Sequence, residues 1–567
     1  MLAALLARGA QAEDQQPDAS PGGPVAALIG GEVSPLGSYL AGRFAQEVGD
    51  LGAATELIGL TLKNDPDNPE LLQREFVLQL SEGRYDEALD IAHRLERIDD
   101  GVRSVGTFLS AEALKAGDYA AADDYATKVD PGGANRFVTP ILKAWAQIGA
   151  GDLDGALAAL KPLDRFEGFS ALYYMQRGLI YDLGGKPLEA EQDLVKALAV
   201  AGDPPLRLVQ ALGNLYARTG RPDEARATYQ RFLDQNPDSD LLEADLAALQ
   251  AGKPPAPLIG AARDGLGEAM FGLASVLVRE QAADIALLFD RLALDLRPDF
   301  GLAQLLLGDI LRQQQRLPEA IAAYRAVPAG TPYAWGARLS IADCLDQEGR
   351  TDEAEAMLRA MIDERPDRSD AATILGNLLR SKERFADAAA AYDVAVARLK
   401  EPRQRHWSLF YFRGIAYERS NQWPKAEADF KEALELEPDQ PFVLNYLAYS
   451  WIEKGEHYDE ALDMLRKAVD QRPNDGYIVD SLGWVLYRLG RYQEAVAQLE
   501  RAVGLKPLDP VLNDHLGDAY WRVGRKREAR FQWQRALQFK PEPDQVGLIA
   551  AKLAHGLATS ETPDSGG

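Results

Sequence analysis

Small, aromatic and aliphatic residues return in one fixed order along most of this chain, with polar positions between them. From Leu206 the order is Gly213, Tyr216, Gly220, Ala225, Tyr229, Phe232 and Pro237. It returns as Gly414, Tyr417, Trp423, Ala426, Phe430, Ala433 and Pro438, and again as Gly483, Gly490, Tyr492, Ala495, Leu499, Ala502 and Pro507. The last full copy is Gly517, Tyr520, Gly524, Ala529, Trp533, Ala536 and Pro541. The first small residue of successive units falls at Gly414, Ala448, Gly483 and Gly517, a step of 34 or 35 residues, and Gly308 to Gly376 is two steps of 34. A unit of this length holds two helices of three to four turns and two short turns.

Each recurring position has a physical reason. The small residue at the eighth position lies where the two helices of a unit cross, since a side chain there would push the backbones apart. The Ala near position 20 does the same on the second helix. Large apolar residues fill the remaining space. The Pro near position 32 stops the second helix, because it has no N–H to continue the ladder. Gly-containing segments such as Gly490-Arg491-Tyr492 supply the turn between the helices.

The pattern resembles the tetratricopeptide repeat over roughly residues 35–541. The resemblance implies an all-α fold, a right-handed α-solenoid of about 13–14 helix-turn-helix repeats. The units beginning near Leu206, Trp407, Gly476 and Pro510 follow the pattern most closely, while Phe137–Ser170 and Gly267–Pro298 keep little of it. Prolines at 254, 255 and 257 forbid a continuous helix pair. The expected organisation is therefore an N-terminal block (35–250), a Pro-rich joint (251–266) and a C-terminal block (267–541). A capping helix (542–557) then covers the apolar end of the last repeat, and a disordered tail (558–567) follows. The stretch 1–12, MLAALLARGAQA, reads as a remnant of a signal peptide with Ala10-Gln11-Ala12 as a small-x-small site, ahead of a polar linker (13–34). A frayed cytoplasmic N-terminus is the other reading of that stretch.

Composition narrows the function. The 567 residues carry 62 Lys+Arg against 87 Asp+Glu, a formal charge of -25, which argues against nucleic acid as the main partner. Residues 13–100 hold 18 acidic and 6 basic side chains, a net of -12, whereas residues 471–541 hold 8 acidic and 12 basic, a net of +4. The single cysteine, Cys344, excludes a multi-cysteine metal site and an intramolecular disulfide framework. No stretch is apolar for long enough to cross a membrane as a helix. The sequence holds no HExxH, P-loop or GxSxG motif, and its five histidines are dispersed. No catalytic residue, cofactor or metal is expected, and the chain reads as no enzyme.

What remains is a surface. In tetratricopeptide repeats the side chains at positions 2, 5, 9, 12 and 13 of each first helix point into a concave groove, so the resemblance assigns partner contact to particular residues here. They are Asn445 and Tyr449 in one repeat, Tyr477, Asp480, Trp484, Tyr487 and Arg488 in the next, and Asp514, Asp518, Trp521 and Arg522 in the last. Aromatic and Arg side chains suit binding hot spots, although the same aromatics can instead pack between repeats. The expected partner is a protein segment lying in the groove. The C-terminal repeats also look like a bacterial subgroup of long repeat proteins, some of which are exported adaptors of carboxy-terminal processing proteases. That resemblance implies a periplasmic adaptor, although this chain lacks the cysteine such lipoproteins carry for their anchor. A structural subunit of an envelope assembly (secretion, polysaccharide export or pilus) is the alternative, and a cytoplasmic location is the alternative to the periplasm.

Overall fold

The computed structural model describes residues 34–557 apart from 99–101, 131, 134, 167, 203–204, 238 and 254. The expected signal-peptide remnant (1–12), nearly all of the linker (13–34) and the tail (558–567) lie outside the described residues. Among the described residues the chain is all-α, with 30 α-helices, most of them in consecutive helix pairs. The first helices of the early pairs are α1 (Pro35–Glu47), α2 (Pro69–Ser81), α3 (Val102–Lys115), α4 (Asn135–Gly149), α5 (Ser170–Leu183) and α6 (Leu206–Arg218).

The crossing of the two helices in a pair is built on a missing side chain. A Cβ at Gly213 would lie 2.1 Å from Tyr229, one at Gly308 2.3 Å from Tyr324, and one at Gly376 2.4 Å from Tyr392. Gly517 meets Trp533 at 2.5 Å in the same way. The ring of the second helix thus lies flat on the backbone of the first. Burying a ring that carries a polar tip requires a partner for that tip. The partner is the residue after the glycine. Tyr229 donates to Asn214 Oδ1 (2.6 Å), Tyr324 to Asp309 Oδ1 (2.7 Å), Tyr392 to Asn377 Oδ1 (2.7 Å), and the Trp533 indole to Asp518 Oδ1 (2.9 Å). Where the ring is Phe430, packed against Gly414, the next residue is the buried Ile415. Position nine is polar or apolar according to the ring it meets.

The turns and ends follow equally local rules. Asp475 and Asp509 cap the next first helices by accepting from two backbone amides each. The turn between the helices of a pair needs a left-handed residue, supplied by Gly220 (φ +79), Gly490 (φ +74) and Gly524 (φ +87). Asn421 (φ +61) and Gln315 (φ +60) take the same conformation despite their side chains.

The described residues divide after Ala354 into two compact units. In the first unit, α7 (Ala262–Arg279) begins inside the stretch 251–266 read as a joint, and it runs 18 residues. Together with α8 (Ala283–Leu296) it forms a hairpin that does more than follow the preceding repeat. α7 packs on α3, α4 and α5, and α8 packs on α2 and α3. The hairpin therefore lies across the first helices of several earlier repeats at once. Gly265 makes this approach possible: a Cβ there would stand 2.1 Å from the buried Trp145 ring of α4.

The ring-and-acceptor pairing sets an ordered expectation. Tyr229→Phe leaves the buried Asn214 Oδ1 without its donor and should destabilise the first unit by about 1–3 kcal/mol. Tyr324→Phe should cost less, under about 1 kcal/mol, because the side chain of Asp309 is 50% exposed and water can replace the donor. Urea unfolding of the two variants checks the order; equal losses would remove the acceptor from the account.

Candidate functional site

In the second unit the first helices of the last repeats are α9 (Pro441–Lys454), α10 (Gly476–Arg488) and α11 (Pro510–Arg522), followed by α12 (Pro543–His555). They carry all the groove residues assigned from the sequence, but at different depths. Asn445 and Asp480 are fully buried, and Asp514 and Asp518 are buried. Tyr449, Tyr477, Trp484, Tyr487, Trp521 and Arg522 are half-buried, and Arg488 is exposed.

The middle of this face is one connected system. The Trp484 ring stacks on Tyr487 (centroids 4.8 Å apart, planes at 7°) and on His515 of the next repeat (4.0 Å, 13°). The Trp484 indole N–H donates to Glu453 Oε1 of the preceding repeat at 2.8 Å. Arg488 comes within 3.6 Å of the same carboxylate. Arg522 donates to the Tyr487 hydroxyl at 3.3 Å. Behind the ring, His515 Nδ1 lies 2.9 Å from Asp480 Oδ2. Burial alone would lower the imidazole pKa, but Asp480, with Asp514 and Asp518 beside it, outweighs burial and holds His515 above its ordinary value. Trp484 is thus both a seam between repeats and a partly exposed surface ring, braced from three repeats. His515, a residue the sequence reading passed over as dispersed, is its floor.

The buried polar groups in this row are under-satisfied. Both side-chain polar atoms of Asn445, Asp480 Oδ1 and Asp514 Oδ1 have no hydrogen-bond partner. Next to them, Tyr449 is held well above the usual tyrosine range by burial, reinforced by Glu453 and Asp480. It therefore stays a neutral hydroxyl.

The last step of the face is taken by the chain itself. Lys552 of α12 reaches Asp514 Oδ2 at 2.7 Å and Asp518 Oδ2 at 2.8 Å. Burial and the neighbouring Asp514 still push the Asp518 carboxyl up, to about 6. Gly556, just after α12, abuts Trp521: a Cβ there would lie 1.9 Å from the indole. Lys526 and Arg530 stand over the same ring at 5.1 and 5.5 Å. Asp514, Asp518 and Trp521 are therefore partnered internally, whereas Tyr449, Trp484, Tyr487 and Arg488 form the part of the row that, among the described residues of this unit, no helix beyond the neighbouring repeats broadly covers. The basic run Arg522, Arg525, Lys526, Arg527 and Arg530 is also partly spent: Arg525 pairs with Glu500 (2.7 Å) and Glu528 (3.2 Å).

The lone cysteine is no nucleophile by environment. Cys344 is buried, and burial with the nearby Asp343 pushes its thiol up to about 11.

The comparisons agree with the repeat. Tetratricopeptide repeat family models match residues 206–249, 311–378, 407–440, 453–510 and 481–544. These segments are tetratricopeptide repeats. A TPR repeat-containing protein of Pseudomonas aeruginosa is 34% identical over 84 residues, which is 15% of this chain and 14% of that protein. Among solved structures, YrrB, described as a TPR protein with an unusual peptide-binding site, is 21% identical with a TM-score of 0.28, covering 35% of this chain and 98% of its own. The Cut9–Hcn1 hetero-tetramer structure of APC/C is 15% identical with a TM-score of 0.35, covering 94% of this chain and 91% of its own.

The charged floor under Trp484 gives a pH signature. A histidine raised above its ordinary value of about 6.5 contributes stability that is complete below that value. That contribution is lost as pH rises through the folded pKa. The raised Asp518 acts in the same direction, because its ionisation is disfavoured in the folded state. NMR titration should place His515 above the ordinary imidazole value of about 6.5, and Asp480→Asn should bring it down. An unchanged His515 titration in that variant would show that the ion pair does not set its charge.

Proposed function

We propose that this protein is a non-enzymatic interaction scaffold whose working surface is the row Tyr449, Trp484, Tyr487 and Arg488 on α9 and α10. Tetratricopeptide repeats serve protein–protein interaction, and the observation that carries the assignment to this row is the arrangement around Trp484. Its ring is held in one orientation by Glu453, Tyr487 and His515, yet remains partly exposed on a face that, among the described residues of this unit, no helix beyond the neighbouring repeats broadly covers. A rigid aromatic surface with a guanidinium beside it loses little entropy on binding. The partner that suits it is an extended or helical protein segment with an apolar anchor for Trp484 and a carboxylate for Arg488 or Arg522.

The more specific reading is an adaptor that brings a protease and its substrates together in the periplasm. What supports it is the likeness of the C-terminal repeats to exported bacterial adaptors and the small-x-small stretch at residues 10–12. Sequencing the mature N-terminus tests the location: a chain that starts at Met1 in the cytosol overturns it.

Affinity capture from the envelope fraction, followed by mass spectrometry, tests the surface. Trp484→Ala should reduce recovery of the specific partners at least tenfold, on the order of 1.4 kcal/mol or more. Trp521→Ala should reduce it less, since Trp521 is already engaged by α12 and two cations. If both variants recover the same partners as the unmodified protein, the row on α9 and α10 is not the working surface. If Trp521→Ala is the more damaging change, the site lies at the last repeat instead.

A further inference from the structure

The hairpin α7–α8 is attached to the earlier repeats in a way that differs from how repeats attach to one another. A repeat packs on its sequence neighbours, and its helix pair crosses at a small residue that meets a ring, as at Gly213 and Tyr229, or a leucine, as at Gly483 and Leu499. α7 instead presents a small-residue stripe, Gly265, Ala269 and Gly272, at the spacing that puts three residues on one helix face. Gly265 sits on the Trp145 ring, and Gly272 faces Leu172 at 3.9 Å. Trp145 is itself fixed by its indole N–H donating to Gln176 Oε1 at 2.8 Å. From the same side of α7, Glu268 receives a bidentate pair from Arg207 of α6, at 2.8 and 2.5 Å, with Arg297 at 3.4 Å behind it. Ahead of the helix, Asn214 of α6 donates to the main-chain carbonyl of Ala256 at 3.0 Å. An aromatic platform, a two-pronged guanidinium and an amide that grips a backbone carbonyl are the contacts of ligand recognition. They converge on a segment of the same chain.

The docked state also carries a penalty. On α8, Asp290 is fully buried with neither carboxylate oxygen paired. Asp295 is buried with one oxygen paired to Lys115 of α3 (2.6 Å) and the other unpaired. A further anchor on α8 is Arg291, which donates to the Ser81 carbonyl at 3.0 Å. Buried carboxylates without partners oppose docking. The seat of α7 is well formed, while the hairpin that fills it is held below the affinity the seat could provide.

We propose that the face formed by α3, α4, α5 and α6 is a helix-binding site that the chain keeps loaded with its own α7. When α7 is withdrawn, the face accepts another helix with the same chemistry: a small-residue stripe for Trp145 and a carboxylate three residues along for Arg207. This site is separate from the row around Trp484, and neither assignment depends on the other.

The test uses the full chain and a fluorescein-labelled peptide of residues 256–280 as the probe, read by anisotropy. Two variants unseat α7 without touching the face: Gly265→Phe, which drives a ring into Trp145, and Glu268→Arg, which opposes Arg207. Each should bind the probe at least tenfold more tightly than the unmodified protein does. A probe carrying Glu268→Arg should not bind either variant. Equal binding to the unmodified protein and to both variants overturns the proposal, as does no binding to variants whose circular dichroism is native. If both variants lose their fold, hydrogen exchange on the unmodified protein decides. Residues 262–296 should exchange at least tenfold faster than 135–149 and 206–218; exchange in step with those helices makes α7 an ordinary core element and overturns the proposal.

Discussion

Everything in this molecule hangs on how closely two helices of a repeat can approach. The approach is set by the absence of one side chain and, in several pairs, the presence of one ring, as at Gly213 and Tyr229 or Gly517 and Trp533, with a leucine in its place at Gly178 and Gly483. A Cβ at such a glycine would need the space the ring occupies, and the interior is too densely packed to supply it elsewhere. The ring then decides its neighbour, because a hydroxyl or indole N–H taken out of water requires an acceptor. From this one contact follow the spacing of the pairs and, within each unit, the alignment of the first helices. The places where that face can be used follow in turn.

Each unit uses the face of its own first helices differently. In the first, the chain lays α7 across it, with Glu268 in the grip of Arg207 and Gly265 on Trp145. In the second, α12 closes only the end, with Lys552 between Asp514 and Asp518. The step before it keeps its aromatic surface. Charge follows the same division of labour: at the closed places Glu268 is met by Arg207 and Arg297 and the pair Asp514 and Asp518 shares Lys552, while Arg488 stays exposed beside Trp484.

The repeat was legible from the sequence because its rules are local. Gly, Ala and Pro at fixed offsets announce a crossing, a second crossing and a stop, each within about 34 residues. The depth of the groove residues was not legible, because it depends on pairs far apart in the chain. Nothing near Asp514 or Asp518 announces Lys552, and nothing near Trp145 announces Gly265. The segment Gly267–Pro298 matched the repeat poorly for a physical reason: α7 answers to a platform on α4 as well as to its own pair, so its small residues follow a different face. The prolines at 254, 255 and 257 were read as a joint, and the helix that begins shortly after them at Ala262 packs onto the earlier repeats. His515 carried no signal at all, since a histidine becomes a floor only once a ring lies on it.

The pairing of position nine with the ring has a consequence for how such a chain can drift over generations. Asn214 with Tyr229 and Ile415 with Phe430 are two stable solutions to one crossing. Passing from one to the other takes two substitutions. Either single step leaves a buried polar atom orphaned or a hydroxyl stranded against a methyl group. Each repeat is therefore locked into the solution it inherited, and copies can diverge freely at their exposed positions while this pair is exchanged only as a unit. Repeats that arose by duplication would keep a record of their parentage at these two positions long after the rest of their surface had changed.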